Sequence, residues 1–236
     1  MVSIVCYLWK GSDPRRIFLP QHVTALARAF KRTLSVPHRF ICVSDRLDGF
    51  GPEVEVIKTP PAVAALGQLQ SPEGARFPSC YRRLWTFSDE TRVLGERVLL
   101  TDIDLVVLKD MAPHLKRSED FVGWRPKAKW GKHTHRLGGG MYLLKTGART
   151  HVFNDFRGAE SIARARAAGY RGSDQAWISY QLGKRAATWP QSAGLYSIRD
   201  LRDGALPLPK DAVAVQFNGP QKPWSSKLGW VRENFN

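Results

Sequence analysis

An apolar run over residues 2–9, closed by Lys10 and Gly11, reads as a first buried strand. Beyond Pro20 the apolar side chains Val23, Leu26, Ala27, Phe30 and Leu34 recur at helical spacing with Arg28, Lys31 and Arg32 between them. This predicts a helix over residues 20–34 with one face laid on a sheet. Residues 38–43 form a second apolar run that ends at Ser44 and Asp45. A strand, a helix and a strand in that order make a βαβ unit, and that unit requires parallel strands. Residues 53–57 alternate as a third strand, after which Pro60, Pro61, Gly67, Pro72, Gly74 and Pro78 punctuate a loop-like stretch. A short helix is expected over 81–89 and a buried strand over 97–100, continued by apolar residues 105–108. Short strands follow over 121–124 and 139–144, helices over 151–168 and 173–182, and a last strand over 213–217. The pattern predicts an α/β fold, one Rossmann-like domain spanning residues 1–236 with a mainly parallel central sheet flanked by helices. No internal repeat, low-complexity tract or linker interrupts it.

With 236 residues, 43% of them apolar, the chain can bury a full core, and its 8 Trp with scattered Gly and Pro exclude a disordered or fibrous class. The opening run is too short to span a membrane and lacks the basic leader and small-residue cleavage site of a signal peptide, so no transmembrane segment is expected. Cys6, Cys42 and Cys80 are odd in number, widely spaced and outside any CxxC or Cys/His zinc pattern. A reduced, cytoplasmic protein is the expectation. Lys and Arg number 36 against 21 Asp and Glu, a formal charge of +15 whose field attracts polyanions and anionic membrane surfaces. Solubility or host composition is the plain alternative source of such charge.

The strongest local signal is Val98-Leu99-Leu100-Thr101-Asp102-Ile103-Asp104, in which two carboxylates one residue apart follow a hydrophobic strand. Both can turn toward one hard cation, which in turn neutralises a diphosphate. Open α/β sheets bind their ligands at such strand ends. Taken alone, the three-residue pattern is equally compatible with a strand-end turn carrying two solvated Asp.

Tyr81-Arg82-Arg83-Leu84 and the strand bearing Asp102 and Asp104 resemble the YxRL and strand-DxD core of retaining glycosyltransferase family 8, a group with the GT-A fold. Gly138-Gly139-Gly140-Met141-Tyr142-Leu143-Leu144 is similar to that family's small-residue strand start, and Ser173-Asp174-Gln175 to its Asp-Gln pair. Gln216-Phe217-Asn218-Gly219-Pro220-Gln221-Lys222-Pro223-Trp224 is similar to its HxxGxxKPW segment. Blocks in the correct order are more specific than any one of them. The resemblance implies metal-dependent transfer of a hexose from a nucleotide-sugar donor, a UDP-sugar by expectation, to a hydroxyl acceptor with retention. Asp102 and Asp104 would hold the metal, usually manganese, and Arg83 would contact the donor's sugar or phosphate. Gly139 and Gly140 would let the backbone approach the donor. Asp174 would bond hydroxyls of the transferred sugar, and Gln175 would lie near its anomeric carbon as the catalytic pair's second member. Lys222 and the backbone at Gly219 would bind the diphosphate.

The sequence departs from the family in three places. Gln216 stands where the family's third metal ligand is His, and an amide oxygen is a hard ligand that suits magnesium or manganese. Gly138 stands where the family usually has Asn. The first strand carries Tyr7, Trp9 and Lys10 in place of the customary residues, and one of the two aromatics is expected to stack on the nucleotide base. Plain structural roles compete with each assignment: Ser173 as an N-cap with Gln175 merely opening a helix, Lys222 solvated, Trp224 as packing, the glycines as a bend.

Between Trp124 and Gly138 lie Arg125, Lys127, Lys129, Lys132 and Arg136, together with Trp130, His133 and His135. Basic side chains interleaved with an aromatic suit a phosphate backbone with base stacking, and Arg164, Arg166, Arg171, Lys184 and Arg185 add to the charge. Nucleic acid is the favoured acceptor partner, for example DNA with hydroxymethylated bases of the phage type, where a duplex base would have to be flipped out. A lipopolysaccharide or other anionic surface glycan is the alternative acceptor, weighed down by the absence of an amphipathic C-terminal anchor. A non-catalytic nucleic-acid binder on a degenerate transferase fold draws its support from Gln216. A metal-dependent nucleotidyltransferase is disfavoured because Gly11 and Ser12 lie far from Asp102, and His133 with His135 lack the further ligands of a zinc site.

Overall fold

The computed structural model describes residues 1–9, 18–71, 79–126 and 137–235. Strand β1 (Val2–Leu8), helix α1 (Pro20–Thr33), strand β2 (His38–Ser44) and strand β3 (Glu55–Lys58) follow one another as the periodicity predicts. All of β1 is buried, with Ile4, Cys6 and Leu8 in the core on one side of the sheet and Val5 and Tyr7 in the core on the other. A strand covered on both faces reads as a continuous apolar run, not as an alternation. Helix α1 opens at Pro20, whose missing N–H is no loss in a first turn, and carries Lys31 and Arg32 in its last turn, next to the negative end of its dipole. It buries Val23, Leu26 and Phe30 completely, each worth about 1.5–3 kcal/mol.

Further along lie β4 (Arg97–Thr101), β5 (Leu105–Val107), β6 (Phe121–Gly123), β7 (Met141–Lys145), β8 (Leu195–Ser197) and β9 (Ala214–Gln216). The main sheet has the order β3-β2-β1-β4-β7-β6, and within it only β7 runs against the other strands, so it is mainly parallel as expected. The second sheet, β5-β9-β8, does not follow from the sequence pattern, because its strands have three residues each. The apolar continuation after Asp104 is therefore a change of sheet. The chain leaves the main sheet at Thr101 and enters the small one at Leu105, so residues 102–104 are the crossing.

Three local expectations are corrected. The stretch after Pro60 holds helix α2 (Pro61–Ala65), since proline is tolerated in a first turn; Pro72, Gly74 and Pro78 lie outside the described residues. After α3 (Ala112–Leu115), the single helix expected over 151–168 is two, α4 (His151–Asn154) and α5 (Ala159–Ala167), separated at Gly158 with φ +58°. The turn of helix at Tyr81–Phe87 is a 3-10 helix. Helices α6 (Asp174–Leu182) and α7 (Gly229–Asn234) complete the chain. Among the described residues no helix is long and apolar enough to cross a membrane. All three cysteines are free thiols, Cys6 opposite Cys42 across the parallel β1–β2 pair.

Candidate functional site

Two backbone contacts pin the crossing. The Asp102 N–H donates to the Gly140 carbonyl at 3.0 Å, at the entry to β7, and the Phe217 N–H donates to the Asp104 carbonyl at 2.9 Å, at the exit of β9. The antiparallel β5–β9 register sets Leu105 opposite Gln216 and so brings the Gln216 side chain to both carboxylates. Its Nε2 donates to Asp104 Oδ1 at 2.6 Å and to Asp102 Oδ2 at 3.3 Å. Lys222 pairs through Nζ with the other oxygen of Asp104 and donates to the Phe217 carbonyl at 3.2 Å. From the opposite side Arg83, on the 3-10 turn, pairs with Asp102 Oδ1. It also holds Asp174 Oδ2 through Nε at 2.9 Å and Nη2 at 2.7 Å. Ser173 donates its hydroxyl to Asp174 Oδ1 at 3.1 Å and accepts the Cys80 N–H at 3.2 Å. The structure thus gathers Arg83, Asp102, Asp104, Asp174, Gln216 and Lys222 into one connected network.

Most of that network is closed to water. Asp174 is 0% exposed, Gln216 1%, Arg83 3%, Asp104 4% and Lys222 6%, whereas about a third of the Asp102 side chain remains open. Charges this deep persist only when paired, since removing one partner leaves the other desolvated and alone. Burial pushes the Asp102 carboxyl up to about 7; Arg83 opposes the shift, and Asp104 and Asp174 reinforce it. Burial works against the charge on Arg83, yet Asp102 and Asp174 more than offset it and hold its pKa well above the ordinary value. Trp224 backs the Phe18 ring that flanks Lys222. Its ring stacks on His22 at 3.8 Å and meets Phe18 edge-on at 5.2 Å, and the Lys222 ammonium sits 5.2 Å from the Phe18 ring centre.

The glycines leave room that side chains use. A Cβ on Gly140 would stand 2.9 Å from Gln216 Cδ and Oε1, and one on Gly139 would stand 2.7 Å from Gln175 Oε1 and 3.0 Å from Arg83 Nη2. Gln175, half-buried, therefore lies against Gly139 and Arg83 at the start of α6. Ser173 makes no cap hydrogen bond to that helix; its hydroxyl serves Asp174 instead.

Asp102, Asp104 and Gln216 fit a hard divalent cation. Gln216 Oε1 is buried without a hydrogen-bond partner, and a half-turn of the amide would exchange it with Nε2 and face it toward the two carboxylates. Three oxygen donors would then converge, the set that magnesium and manganese prefer. Among the described residues no three His, Cys, Asp or Glu side chains group to hold a metal; a cation at the crossing would take its third donor from the Gln216 amide.

Other sequence-predicted residues stand apart from the network. Tyr7 is 5% exposed within β1, its hydroxyl bonded to Thr86 Oγ1 at 2.8 Å, which leaves no face for a nucleotide base. Trp9, half-buried at the end of β1, has the Arg82 guanidinium 5.8 Å from its ring centre. Gly219 lies next to Arg199, whose Nη2 would be 3.7 Å from a Cβ placed there. Of the expected acceptor residues, Arg125 is exposed and its carbonyl accepts from Gln191, while Lys127, Lys129, Trp130, Lys132 and Arg136 lie outside the described residues. The sequence reading missed Ser173 as the support of Asp174, because a serine opening a helix reads as a cap, and Phe18 as a wall for Lys222, because no periodic or motif position marks it.

No family model matches the chain, and no curated protein matches it by sequence. Solved structures do match by fold. A galactosyltransferase, LgtC, in complex with donor and acceptor sugar analogs superposes with a TM-score of 0.68 at 14% identity, over 98% of this chain and 93% of that one. An active-site Gln-to-Glu mutant of LgtC gives 0.65 at 13% identity over the same shares. The glycosyltransferase GlyE of Streptococcus pneumoniae TIGR4 gives 0.60 at 13% identity over 99% of this chain and 59% of that one. The chain has the GT-A fold of these proteins, in agreement with the resemblance carried by its motifs.

Proposed function

We propose that the chain is a metal-dependent glycosyltransferase that takes a hexose from a nucleotide-sugar donor, with a UDP-sugar expected, and passes it to a hydroxyl acceptor with retention. The observation that carries this reading is the convergence of Asp102, Asp104 and Gln216 at the crossing between the two sheets, with Lys222 and Arg83 attached to it. The fold neighbours supply the reaction class, since they are described as glycosyltransferases and one holds donor and acceptor sugar analogs.

A divalent cation bound by Asp102, Asp104 and Gln216 would neutralise charge on the departing diphosphate. Lys222 would add positive charge at the same oxygens, whereas the Gly219 N–H is engaged by the Phe217 carbonyl at 3.1 Å; interactions that strengthen as charge develops lower the barrier. Asp174 is fully buried and both its oxygens are engaged, by Arg83 and Ser173, which supports a role in fixing Arg83 rather than in bonding sugar hydroxyls. Gln175, against Gly139, is the polar side chain available to the sugar ring. The bond from the anomeric carbon to phosphate oxygen breaks and a bond from the same face to the acceptor oxygen forms. The acceptor's proton passes to the leaving phosphate, so no side-chain base is required.

The favoured acceptor is nucleic acid, supported by the charge of +15 and the basic sequence around Arg125. A glycan acceptor is the second reading, favoured by the acceptor sugar analog described for LgtC. The deciding assay offers a panel of nucleotide sugars with manganese, with and without hydroxymethylated DNA, to the parent and to Asp104→Ala. Transfer to DNA that chelator and mutation both abolish supports the full reading. Metal-dependent donor hydrolysis indifferent to DNA moves the acceptor to glycans, and no turnover of any donor removes the enzyme assignment.

A further inference from the structure

Lys222 is a cation already seated on a proposed metal ligand. Lys222 is 6% exposed and its ammonium pairs with Asp104 Oδ2, while the other oxygen of Asp104 accepts from Gln216 Nε2. Both oxygens of this carboxylate are therefore engaged from within the protein. The ammonium's second bond, to the Phe217 carbonyl, and the flanking Phe18 ring hold it in place without adding another negative charge. At pH 8, where Asp102 is ionised, three carboxylates of the connected network, Asp102, Asp104 and Asp174, face two cations, Arg83 and Lys222, so one negative charge is uncompensated. A divalent ion entering that network would leave it with net positive charge in a poorly hydrated place, where like charges repel strongly. Without Lys222, two uncompensated negative charges would face two positive ones.

We propose that Lys222 acts as an internal competitor for Asp104, keeping a divalent cation out until an anionic diphosphate draws the ammonium off the carboxylate. The inference rests on the metal-dependent reading above and adds to it a second role for Lys222 besides holding phosphate. Gln216 takes part in the same exchange, because its amide must turn from donating toward Asp104 to presenting Oε1. Metal and diphosphate thereby favour each other through the protein as well as through their direct contact, and such coupling is reciprocal.

The distinguishing prediction concerns metal binding in the absence of nucleotide. At pH 8, manganese is titrated by calorimetry and by loss of the free-ion spin-resonance signal, into the parent, Lys222→Met and Lys222→Gln, with folding checked by near-ultraviolet circular dichroism. Both variants are expected to bind manganese about tenfold or more tightly than the parent, as removal of a nearby like charge requires. Uridine diphosphate should then strengthen manganese binding by a smaller factor in the variants than in the parent. Lys222→Gln keeps a hydrogen-bonding group toward Asp104 and serves if Lys222→Met does not fold. Unchanged or weaker manganese binding in a folded variant overturns the competition while leaving the metal site intact. Absence of manganese binding in every protein, with or without uridine diphosphate, overturns the competition and the metal-dependent reading together.

Discussion

Two ion-paired regions of this protein use the same chemistry to different ends. At the edge of the main sheet Arg39 grips Glu55 with two bonds, Nε at 3.0 Å and Nη2 at 2.5 Å, and the two side chains remain 31% and 47% exposed. At the sheet crossing Arg83 also uses Nε and Nη2 on Asp174, both on the one oxygen Oδ2, with exposures of 4% and 0%, and extends to Asp102. Each pair is held by two guanidinium N–H groups, so the number of bonds does not separate them. Burial and convergence do: the edge pair exchanges with water and is screened by salt, whereas each charge at the crossing depends on the others. A buried network of that kind is a costly way to hold a fold together, and its open member, Asp102, faces the strand ends where this class of sheet binds ligands.

The sharpest way to break the contrast is to remove the shared cation. Arg83→Met leaves Asp174 buried and unpaired, and urea unfolding should register a loss of about 3–5 kcal/mol. Adding Asp174→Asn to it should recover part of that loss, because the charge left behind is then gone. Strictly additive effects would mean that the two side chains are not coupled.

Gly140→Ala tests the crossing more locally. The new Cβ would stand 2.9 Å from the Gln216 amide and push it from the carboxylates. Manganese affinity measured with uridine diphosphate present should fall roughly 10–100-fold, a loss of the size that follows when support of a metal ligand is removed. Equal affinity would show that Gln216 is no ligand.

His22 sharpens the comparison from an uncharged position. Burial against Trp224 lowers its pKa to about 4, and its Nδ1 accepts the Leu19 N–H at 3.2 Å, which requires the neutral ring. The unfolded chain, with a pKa near 6.5, binds the proton more readily between these values. The contribution of His22 is thus complete above about pH 6.5 and is lost as pH falls toward 4, by about 1–3 kcal/mol. The pH dependence of unfolding free energy over that window should flatten in His22→Gln. The smallest effect belongs to the edge pair: Arg39→Ala should cost under about 1 kcal/mol, and less in high salt.

The sequence reveals most where one element carries its own pattern. The period of Val23, Leu26 and Phe30 and the unbroken apolar β1 declare the βαβ start, and the run into Asp102 and Asp104 declares a ligand end. Gln216 became visible only through the resemblance of the segment ending at Trp224, because the β5–β9 register that brings it to Asp104 joins distant three-residue strands without a local signal. The misplaced Tyr7 has a physical reason. An aromatic at the ligand end of a strand buried on both faces belongs to the core before it belongs to a base, and Tyr7 shares its side of the sheet with Val5. The role of Ser173 was hidden because a serine opening a helix reads as a cap, whereas here the buried Asp174 claims its hydroxyl.

The central claim, that the crossing between the sheets is where a cation and a nucleotide diphosphate meet, is tested most directly by crystals grown with manganese and uridine diphosphate. Anomalous scattering should place manganese among Asp102, Asp104 and Gln216, with the Lys222 ammonium moved from Asp104 to a phosphate oxygen. Manganese elsewhere on the protein, or uridine diphosphate bound away from this crossing, would contradict it.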